Sequence, residues 1–278
     1  MGQIILILNH KGGVGKTTAA VNISHALARA GRKVLLVDAD SQCNSTMMAL
    51  NPAISIEPSF YHLLSDSTVK TSDTIKTSLL EGVDLLPNQE HTAGLELKLM
   101  GEEAKMKPLE RFLILRKRLR AYAKQQYDYT VVDLPPNIGI FVLMALNMSD
   151  SVIVPIDADS VFSQRGLKNA LDIISETRKT TNPDLRFLRL LVNKVDKRTS
   201  LGKIVIDHIS QAFDADMICE TRIPVSTHFQ QAEAKHQSIF RYNHRSVGAT
   251  AYTSIAEEII KIHEIYPQMK LDDIAATA

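Results

Sequence analysis

The chain has 278 residues, of which 45% are hydrophobic and 23% are charged, and its net charge is +1. These values are typical of a globular protein, and they exclude a uniformly basic molecule that would attract nucleic acid over its whole surface. No apolar run approaches the roughly 20 residues that span a bilayer. Two cysteines, Cys43 and Cys219, are too few for a disulfide framework and suit a reducing compartment. The first three residues lead directly into an apolar run, so we expect no signal peptide.

Apolar, β-favouring runs alternate with helical patterns along the chain. The predicted strands cover residues 4–8, 33–37, 83–87, 129–134, 151–155, 187–193 and 217–219. The predicted helices cover residues 19–30, 96–100, 108–126, 160–181, 200–213, 227–235 and 247–263. Strands that are covered on both faces appear as continuous apolar runs of this kind. The alternation predicts one α/β domain over residues 1–278, with a doubly wound, mostly parallel sheet and a frayed tail from about residue 265.

A glycine-rich loop at residues 9–18 joins the first predicted strand to the first predicted helix. Its glycines let the backbone curl so that N–H groups face a phosphate, and the helix N-terminus adds partial positive charge. In such a loop Lys16 reaches the terminal phosphates, and the Thr17 hydroxyl holds Mg²⁺. The residues predicted to contact the nucleotide here are Lys11, Gly12, Gly13, Val14, Gly15, Lys16, Thr17 and Thr18.

Acidic residues stand at the ends of two other predicted strands. Asp38 and Asp40 follow the strand at residues 33–37, and Asp133 lies near the end of the strand at residues 129–134. Because ligands bind at the carboxyl ends of the strands in such sheets, we expect these acids to meet the loop at one magnesium nucleotide. An acid at a strand end can also serve only as a helix cap, and that role stays open for Asp38.

Three motifs resemble those of the ParA family, the ATPases with a deviant Walker A loop. The loop Lys-Gly-Gly-Val-Gly-Lys-Thr-Thr at residues 11–18 carries an extra lysine, as in that family. The run Asp-Ala-Asp-Ser-Gln is similar to the family motif Asp-x-Asp-Pro-Gln, with Ser41 in place of proline. Asp-Leu-Pro-Pro-Asn-Ile-Gly at residues 133–139 is similar to the family switch, with Asn137 in place of serine. Weaker likeness extends over nearly the whole chain, at residues 86–89, 94–99, 152–155, 193–196 and 223–252.

The resemblance implies a P-loop ATPase whose cofactors are ATP and Mg²⁺. It implies that Lys16 binds the phosphates and that Asp40 positions or activates the water that attacks the γ-phosphate. Thr17, Asp38 and Asp133 are the implied metal residues. Phosphoryl transfer requires mainly positioning and charge neutralisation, which these side chains can supply.

Two further residues receive roles from the same resemblance. Lys11 is the lysine that would contact the phosphates bound by a second subunit, so we expect an ATP-dependent homodimer in which it offsets the repulsion between two nucleotides. Asn193 could hydrogen-bond the adenine edge, although a polar residue after a strand is equally typical of an ordinary loop.

The leading output implied by the family is DNA partition in a bacterial or archaeal cytoplasm, associated with the nucleoid. The ATP dimer would bind DNA without sequence preference, and a ParB-like or other adaptor protein would stimulate slow hydrolysis and release. The family commonly has arginines after the Ile-Pro at residues 223–224, whereas this chain has Val-Ser-Thr-His. The candidate DNA contacts are Lys197, Arg198, Lys203, Arg222, Lys235, Arg241 and Arg245. Exposed cations of this kind often serve solubility alone.

Other outputs of the same ATPase chemistry stay open. A positioning ATPase for a protein cargo would share every motif above. A MinD-like membrane ATPase needs a basic amphipathic C-terminal helix, and the acidic run at residues 271–278 disfavours it. A nitrogenase-like reductase needs cluster cysteines, which Cys43 and Cys219 do not supply. A nucleotide-gated scaffold with negligible turnover is disfavoured by the intact Lys16, Asp40 and Asp133. Because the first strand starts at once, we expect no N-terminal operator-binding extension.

Overall fold

The computed structural model describes residues 1–101, 106–158, 163–196 and 199–265. These residues form a seven-stranded sheet in the order β3-β4-β2-β5-β1-β6-β7, in which every neighbouring pair is parallel except β3 and β4. The strands are β1 (Gln3–Ile7), β2 (Val34–Asp38), β3 (Lys76–Thr77), β4 (Val83–Leu86), β5 (Tyr129–Asp133), β6 (Ser151–Asp157) and β7 (Arg186–Asn193). The predicted doubly wound, mostly parallel sheet is therefore confirmed.

Helices cover both faces of this sheet. They are α1 (Lys16–Arg29), α2 (Asn44–Ala49), α3 (Phe60–Ser65), α4 (Thr71–Thr74), α5 (Thr92–Met100), α6 (Pro108–Phe112), α7 (Ala121–Gln126), α8 (Ile140–Met148), α9 (Ser163–Thr180), α10 (Ser200–Ala212), α11 (Thr227–Ala234), α12 (Ile239–Asn243) and α13 (Val247–Ile265). None of the helices in these ranges combines the length and apolar character needed to cross a membrane.

Two hydrophobic cores lie on the two sides of the sheet, because successive side chains of a strand point to opposite faces. On β1, Ile4 and Leu6 belong to the core that includes residues of α3, α5, α8 and α9. Ile5 and Ile7 belong to the other core, with residues of α1, α12 and α13. All four side chains are fully buried, so β1 lies in the middle of the molecule and fixes the position of the loop that follows it.

The helix predicted over residues 108–126 is confirmed for most of the segment, but it is broken by a turn at Leu113. The segment contains α6, a π-helical turn at Arg116–Arg120 and then α7. The guanidinium groups of Arg116 and Arg120 donate to the carbonyls of Asn147 and Met148 at the end of α8. These contacts reach across the fold, so the local pattern of apolar residues does not encode them.

The short strand predicted at residues 217–219 is wrong. A 3₁₀ turn at Ala215–Met217 occupies its start, and Ile218 makes only one bridge, to Leu190 of β7. The short elements β3 and α12 were not predicted. β3 has only two residues and pairs with the nearby β4, whereas the start of α12 is held by Asn22, more than 200 positions away. The predicted frayed tail lies, from residue 266 onward, outside the described residues.

Candidate nucleotide site

The loop between β1 and α1 adopts a backbone that glycine favours at two positions. Gly13 has φ of 76° and Gly15 has φ of 85°, both in the left-handed region, where other residues are strained. A Cβ atom on Gly15 would also lie 3.0 Å from Nδ2 of Asn193. Gly15 is the N-cap of α1, so the loop curls just before a helix N-terminus. This is the backbone that a phosphate site requires.

Side chains at neighbouring strand ends hold the loop in place. Nδ2 of Asn9 donates to the carbonyl of Pro155 at 2.7 Å, and its Oδ1 accepts the N–H of Lys11 at 2.9 Å. Nδ2 of Asn193 donates to the carbonyl of Val14 at 2.7 Å. The predicted contact of Asn193 with adenine stays a prediction, and the structure adds this contact with the loop. The supporting role of Asn9 was not predicted, although a polar residue directly after a buried strand was the available signal.

Lys16, the predicted phosphate lysine, is buried beside two of the predicted acids. Its Nζ donates to the carbonyl of Lys11 at 3.2 Å. Burial lowers the pKa of Lys16, while the charges of Asp133 and Asp40 raise it. A cation held this way in a poorly solvated position interacts strongly with a phosphate.

The ends of three parallel strands meet at one level of the sheet. Ile7 of β1 lies opposite Asp133 of β5, and Asp133 in turn lies opposite Asp38 of β2. Both acids are fully buried. The register of the sheet therefore places these strand ends side by side, and their convergence on one magnesium nucleotide stays a prediction.

Asp133 has one carboxylate oxygen bound within the protein and one that is not. Its Oδ2 accepts the Ser45 hydroxyl at 2.6 Å. Its Oδ1 is buried and accepts no hydrogen bond from the residues that the structure describes. Burial raises the pKa of Asp133 to about 6, against the lowering effect of the Ser45 and Thr17 hydroxyls. The Asp133 Oδ1 atom, buried near the Thr17 hydroxyl and without a hydrogen bond, is suited to binding a hard cation such as Mg²⁺.

Asp38 has both carboxylate oxygens bound by the protein. Its Oδ2 accepts the N–H of Thr46 at 2.8 Å and the Thr46 hydroxyl at 2.7 Å, and its Oδ1 accepts the N–H of Asp40 at 3.1 Å. Burial raises the pKa of Asp38 to about 8, and the charge of Asp133 adds to the increase. This pattern supports the positioning of the loop after β2. Metal coordination by Asp38 stays a prediction.

Asp40 lies on the turn after β2, and its backbone is held by a residue in the loop after β4. The carbonyl of Asp40 accepts Nδ2 of Asn88 at 3.0 Å, and its Oδ1 accepts the N–H of Gln42 at 3.0 Å. Asn88 is fully buried and also receives the Thr92 hydroxyl on Oδ1 at 2.6 Å. Sequence reasoning missed Asn88 and Ser45 as supporting residues, although residues 86–89 were noted for their likeness to a family run.

A cavity of about 850 Å³ opens over the loop and is large enough for a nucleotide. Residues 12–18 line its floor, together with Asp40 and Asn193. A second wall of the cavity was not predicted, because it comes from the distant segment after β7; it combines polar side chains, such as Gln230 and Glu233, with a group of apolar ones. That wall includes Ile223, Pro224, Val225, Phe229 and Tyr252.

Lys11 lies at the edge of the loop, against the end of β6. Its Nζ is 3.7 Å from Oδ2 of Asp157, and Nζ of Lys194 is 3.4 Å from Oδ1 of the same carboxylate. The Lys11 side chain is 32% exposed, whereas that of Asp157 is 5% exposed. Lys11 is therefore accessible to a second molecule while it is paired within its own chain.

The candidate DNA contacts do not form one group. Lys235, Arg241 and Arg245 are exposed within one stretch between α11 and α13. Arg222 instead donates to the carbonyls of Cys219 and Glu220 in its own loop. Lys197 and Arg198 lie outside the described residues, and the side chain of Lys203 on α10 does too.

Comparison with known proteins decides the family. A family model described as an AAA domain matches residues 2–187. The sporulation initiation inhibitor protein Soj of Bacillus subtilis is 36% identical over 259 residues, which cover 93% of this chain and 98% of Soj. The chromosome partitioning protein ParA of Caulobacter vibrioides is 31% identical, over 93% of this chain and 94% of that protein. The chain belongs to the ParA family of P-loop ATPases.

The fold of this ParA-family ATPase also matches that of solved structures. Cobyrinic acid a,c-diamide synthase from Mycobacterium smegmatis, crystallised with ADP and magnesium, superposes with a TM-score of 0.78. The two chains are 29% identical, and the match covers 96% of this chain and 97% of the other. The resemblance inferred from the loop and acid motifs is therefore confirmed over nearly the whole ParA-family chain.

Proposed function

We propose that this chain is a ParA-type partition ATPase that binds ATP with Mg²⁺, dimerises, and binds DNA without sequence preference. The adaptor that stimulates hydrolysis would then release the dimer from DNA, in a cytoplasm where the ATP form associates with the nucleoid. The observation that carries the proposal is the shared register of Ile7, Asp38 and Asp133 beside the curled loop.

In this proposal, different residues of the site bind the metal, the phosphates, the attacking water and the base. Thr17 and Oδ1 of Asp133 would hold Mg²⁺, which neutralises phosphate charge when bound. Lys16 and the N–H groups at the start of α1 bind the phosphates. Asp40 orients the attacking water, and its backbone is kept in place by Asn88. Residues 223–225 and Asn193 form the walls that would enclose the base.

Dimerisation would use the exposed lysine at the edge of the loop. Two nucleotide-loaded faces repel each other, and Lys11 can offset that repulsion by contacting the phosphates of the other subunit. Its exposure and its long pairing distance to Asp157 support this role, because the pair can exchange for a stronger contact with phosphate.

DNA binding would use the exposed cations between α11 and α13. The family arginines after Pro224 are absent here, so Lys235, Arg241 and Arg245 are the residues that support the proposal. A surface of this kind contacts phosphates and carries no sequence information.

The experiment that tests the proposed function measures ATP hydrolysis alone, with DNA, and with DNA plus the adaptor. We expect a slow basal rate and a rate increase that requires the adaptor. Asp40→Asn should retain ATP but reduce turnover by about 100-fold, since only positioning of the water is lost. DNA affinity should be higher with ATP than with ADP. Equal DNA affinity with both nucleotides, or full turnover by Asp40→Asn, would contradict the proposal.

A further inference from the structure

Helix α1 is hydrogen-bonded to α12 by a buried asparagine in its middle. Nδ2 of Asn22 donates to the carbonyl of Thr18 at 2.7 Å, and Oδ1 of Asn22 accepts the N–H of Ile239 at 2.8 Å. Asn22 is 1% exposed, and Ile239 is fully buried. One side chain thus joins the first turn of α1, next to the nucleotide loop, to the first residue of α12.

A second polar side chain of α1 makes a parallel contact one turn further on. Nδ1 of His25 lies 2.8 Å from the hydroxyl of Ser238, and Ser238 caps α12 by accepting the N–H of Arg241 at 3.3 Å. The His25 ring meets the Phe240 ring edge-on, with centroids 5.3 Å apart. The guanidinium of Arg29 lies over the same ring at 5.2 Å.

These contacts follow one face of α1. Residues 18, 22, 25 and 29 are spaced by three or four positions, so they lie in a row along the helix. The rest of the buried surface of α1 is mostly apolar. Two hydrogen-bonding side chains in such a surface specify one position for α12, because any shift would leave buried polar groups without partners.

This row of contacts connects the nucleotide loop, at the start of α1, to the segment that carries the exposed cations. α1 starts at Lys16, so phosphate bound by the loop is held by the first turn of the same helix. The segment that contains α12 carries the exposed Arg241, and the exposed Lys235 and Arg245 lie before and after it in the sequence. A packed helix transmits a displacement because its length and hydrogen bonds are rigid.

We infer that Asn22 and His25 are positioning residues that couple the nucleotide loop to the cationic segment at residues 235–245. ATP at the loop shifts the first turn of α1, and the two side chains pass the shift to α12 and its cations. The inference rests on the proposed function, since it gives these cations a role in DNA binding. His25 acts in its neutral form, because burial lowers its pKa to about 4, with further lowering by Arg29 and Arg241.

The test is hydrogen exchange of the full chain without DNA, with and without magnesium and ATP. In the wild type, ATP should change the exchange rate of amides at residues 238–245 by about threefold or more. In Asn22→Ala, ATP should still protect residues 10–18, while residues 238–245 should exchange at the same rate with and without ATP. Ser24→Ala is the matched control, because Ser24 is buried in the same helix and its hydroxyl has no hydrogen-bond partner among the described residues. It should behave as the wild type does.

A second variant keeps the test decisive if Asn22→Ala does not fold. Ser238→Ala removes only the hydroxyl that meets His25, and we expect it to reduce the ATP response of residues 238–245 by at least about half. An unchanged ATP response of residues 238–245 in both Asn22→Ala and Ser238→Ala would overturn the inference. Equal exchange rates of this segment with and without ATP in the wild type would also overturn it. Failure of the proposed function would look different, because the wild type would then bind no DNA although its exchange pattern still responded to ATP.

Discussion

Asp38 and Asp133 lie directly opposite each other at the ends of two neighbouring parallel strands, and the charge of Asp133 raises the pKa of Asp38. Two buried acids in this arrangement are unfavourable when both are ionised. A magnesium nucleotide removes that penalty, whereas the protein without nucleotide retains it. The site is therefore suited to binding a cation rather than to maximal stability without one.

The first prediction concerns the pH dependence of stability without nucleotide. Burial raises the pKa of Asp38 to about 8 and that of Asp133 to about 6, so the folded state binds more protons than the unfolded state above pH 4. The stabilisation is complete below the unfolded pKa and is lost as pH rises through the folded pKa. Urea unfolding followed by circular dichroism should give a lower free energy of unfolding at pH 8 than at pH 5.5, by roughly 1–3 kcal/mol. Asp38→Asn should flatten this dependence, and parallel profiles for the two proteins would contradict the prediction.

The second prediction concerns Ser45, whose hydroxyl donates to Asp133 at 2.6 Å. Ser45→Ala leaves that oxygen without its partner, so the carboxylate is less well oriented for a metal. The magnesium concentration that gives half-maximal ATP hydrolysis should rise about 10-fold or more. Ser24→Ala, which removes a buried hydroxyl of α1 away from Asp133, should leave the magnesium requirement unchanged.

The third prediction concerns Lys11. Lys11→Ala should retain ATP but lose ATP-dependent dimerisation, because the lysine that offsets the repulsion between two nucleotides is gone. Light scattering in the presence of ATP and magnesium measures the dimer fraction directly. Lys194→Ala is the control, since Lys194 pairs with the same Asp157 carboxylate but has no expected contact with the other subunit. An unchanged dimer fraction in Lys11→Ala would refute the role.

The fourth prediction separates the candidate DNA contacts. Lys235→Ala and Arg241→Ala should each weaken ATP-dependent DNA binding on any sequence and should each reduce the salt slope by about 1. Arg222→Ala should change neither quantity, because Arg222 is bound to carbonyls of its own loop. Fluorescence anisotropy with labelled DNA at several salt concentrations gives both values. A larger effect from Arg222 than from Arg241 would overturn this assignment.

The sequence predicted the parts of the site that short motifs and strand ends specify. Asp133 and the loop were predicted because an apolar strand and its last residue are local features, and parallel strands must end at a common edge. Ser45 and Asn88 were missed because their roles are contacts with residues more than 40 positions away. The apolar side chains of the cavity wall near Pro224 were missed for the same reason.

Two details of the secondary structure also differ from what the local pattern predicts. Residues 108–126 are mostly helical as predicted, but the turn at Leu113 and the π-helical turn at Arg116–Arg120 were not predicted. Ile218 is apolar like a strand residue, yet it makes only one bridge to β7. Local composition therefore predicts helical segments better than their breaks, and it overestimates the extent of a short strand.

The most direct test is the retention of ATP by the purified protein, compared with Lys16→Ala. Equilibrium dialysis with ATP and magnesium should give tight binding for the wild type and at least about 100-fold weaker binding for Lys16→Ala, because the buried cation that contacts the phosphates is lost. Lys117→Ala, which removes an exposed lysine of the π-helical turn away from the cavity, should stay within a few-fold of the wild type. Equal ATP retention by the wild type and Lys16→Ala would contradict a nucleotide site built on this loop.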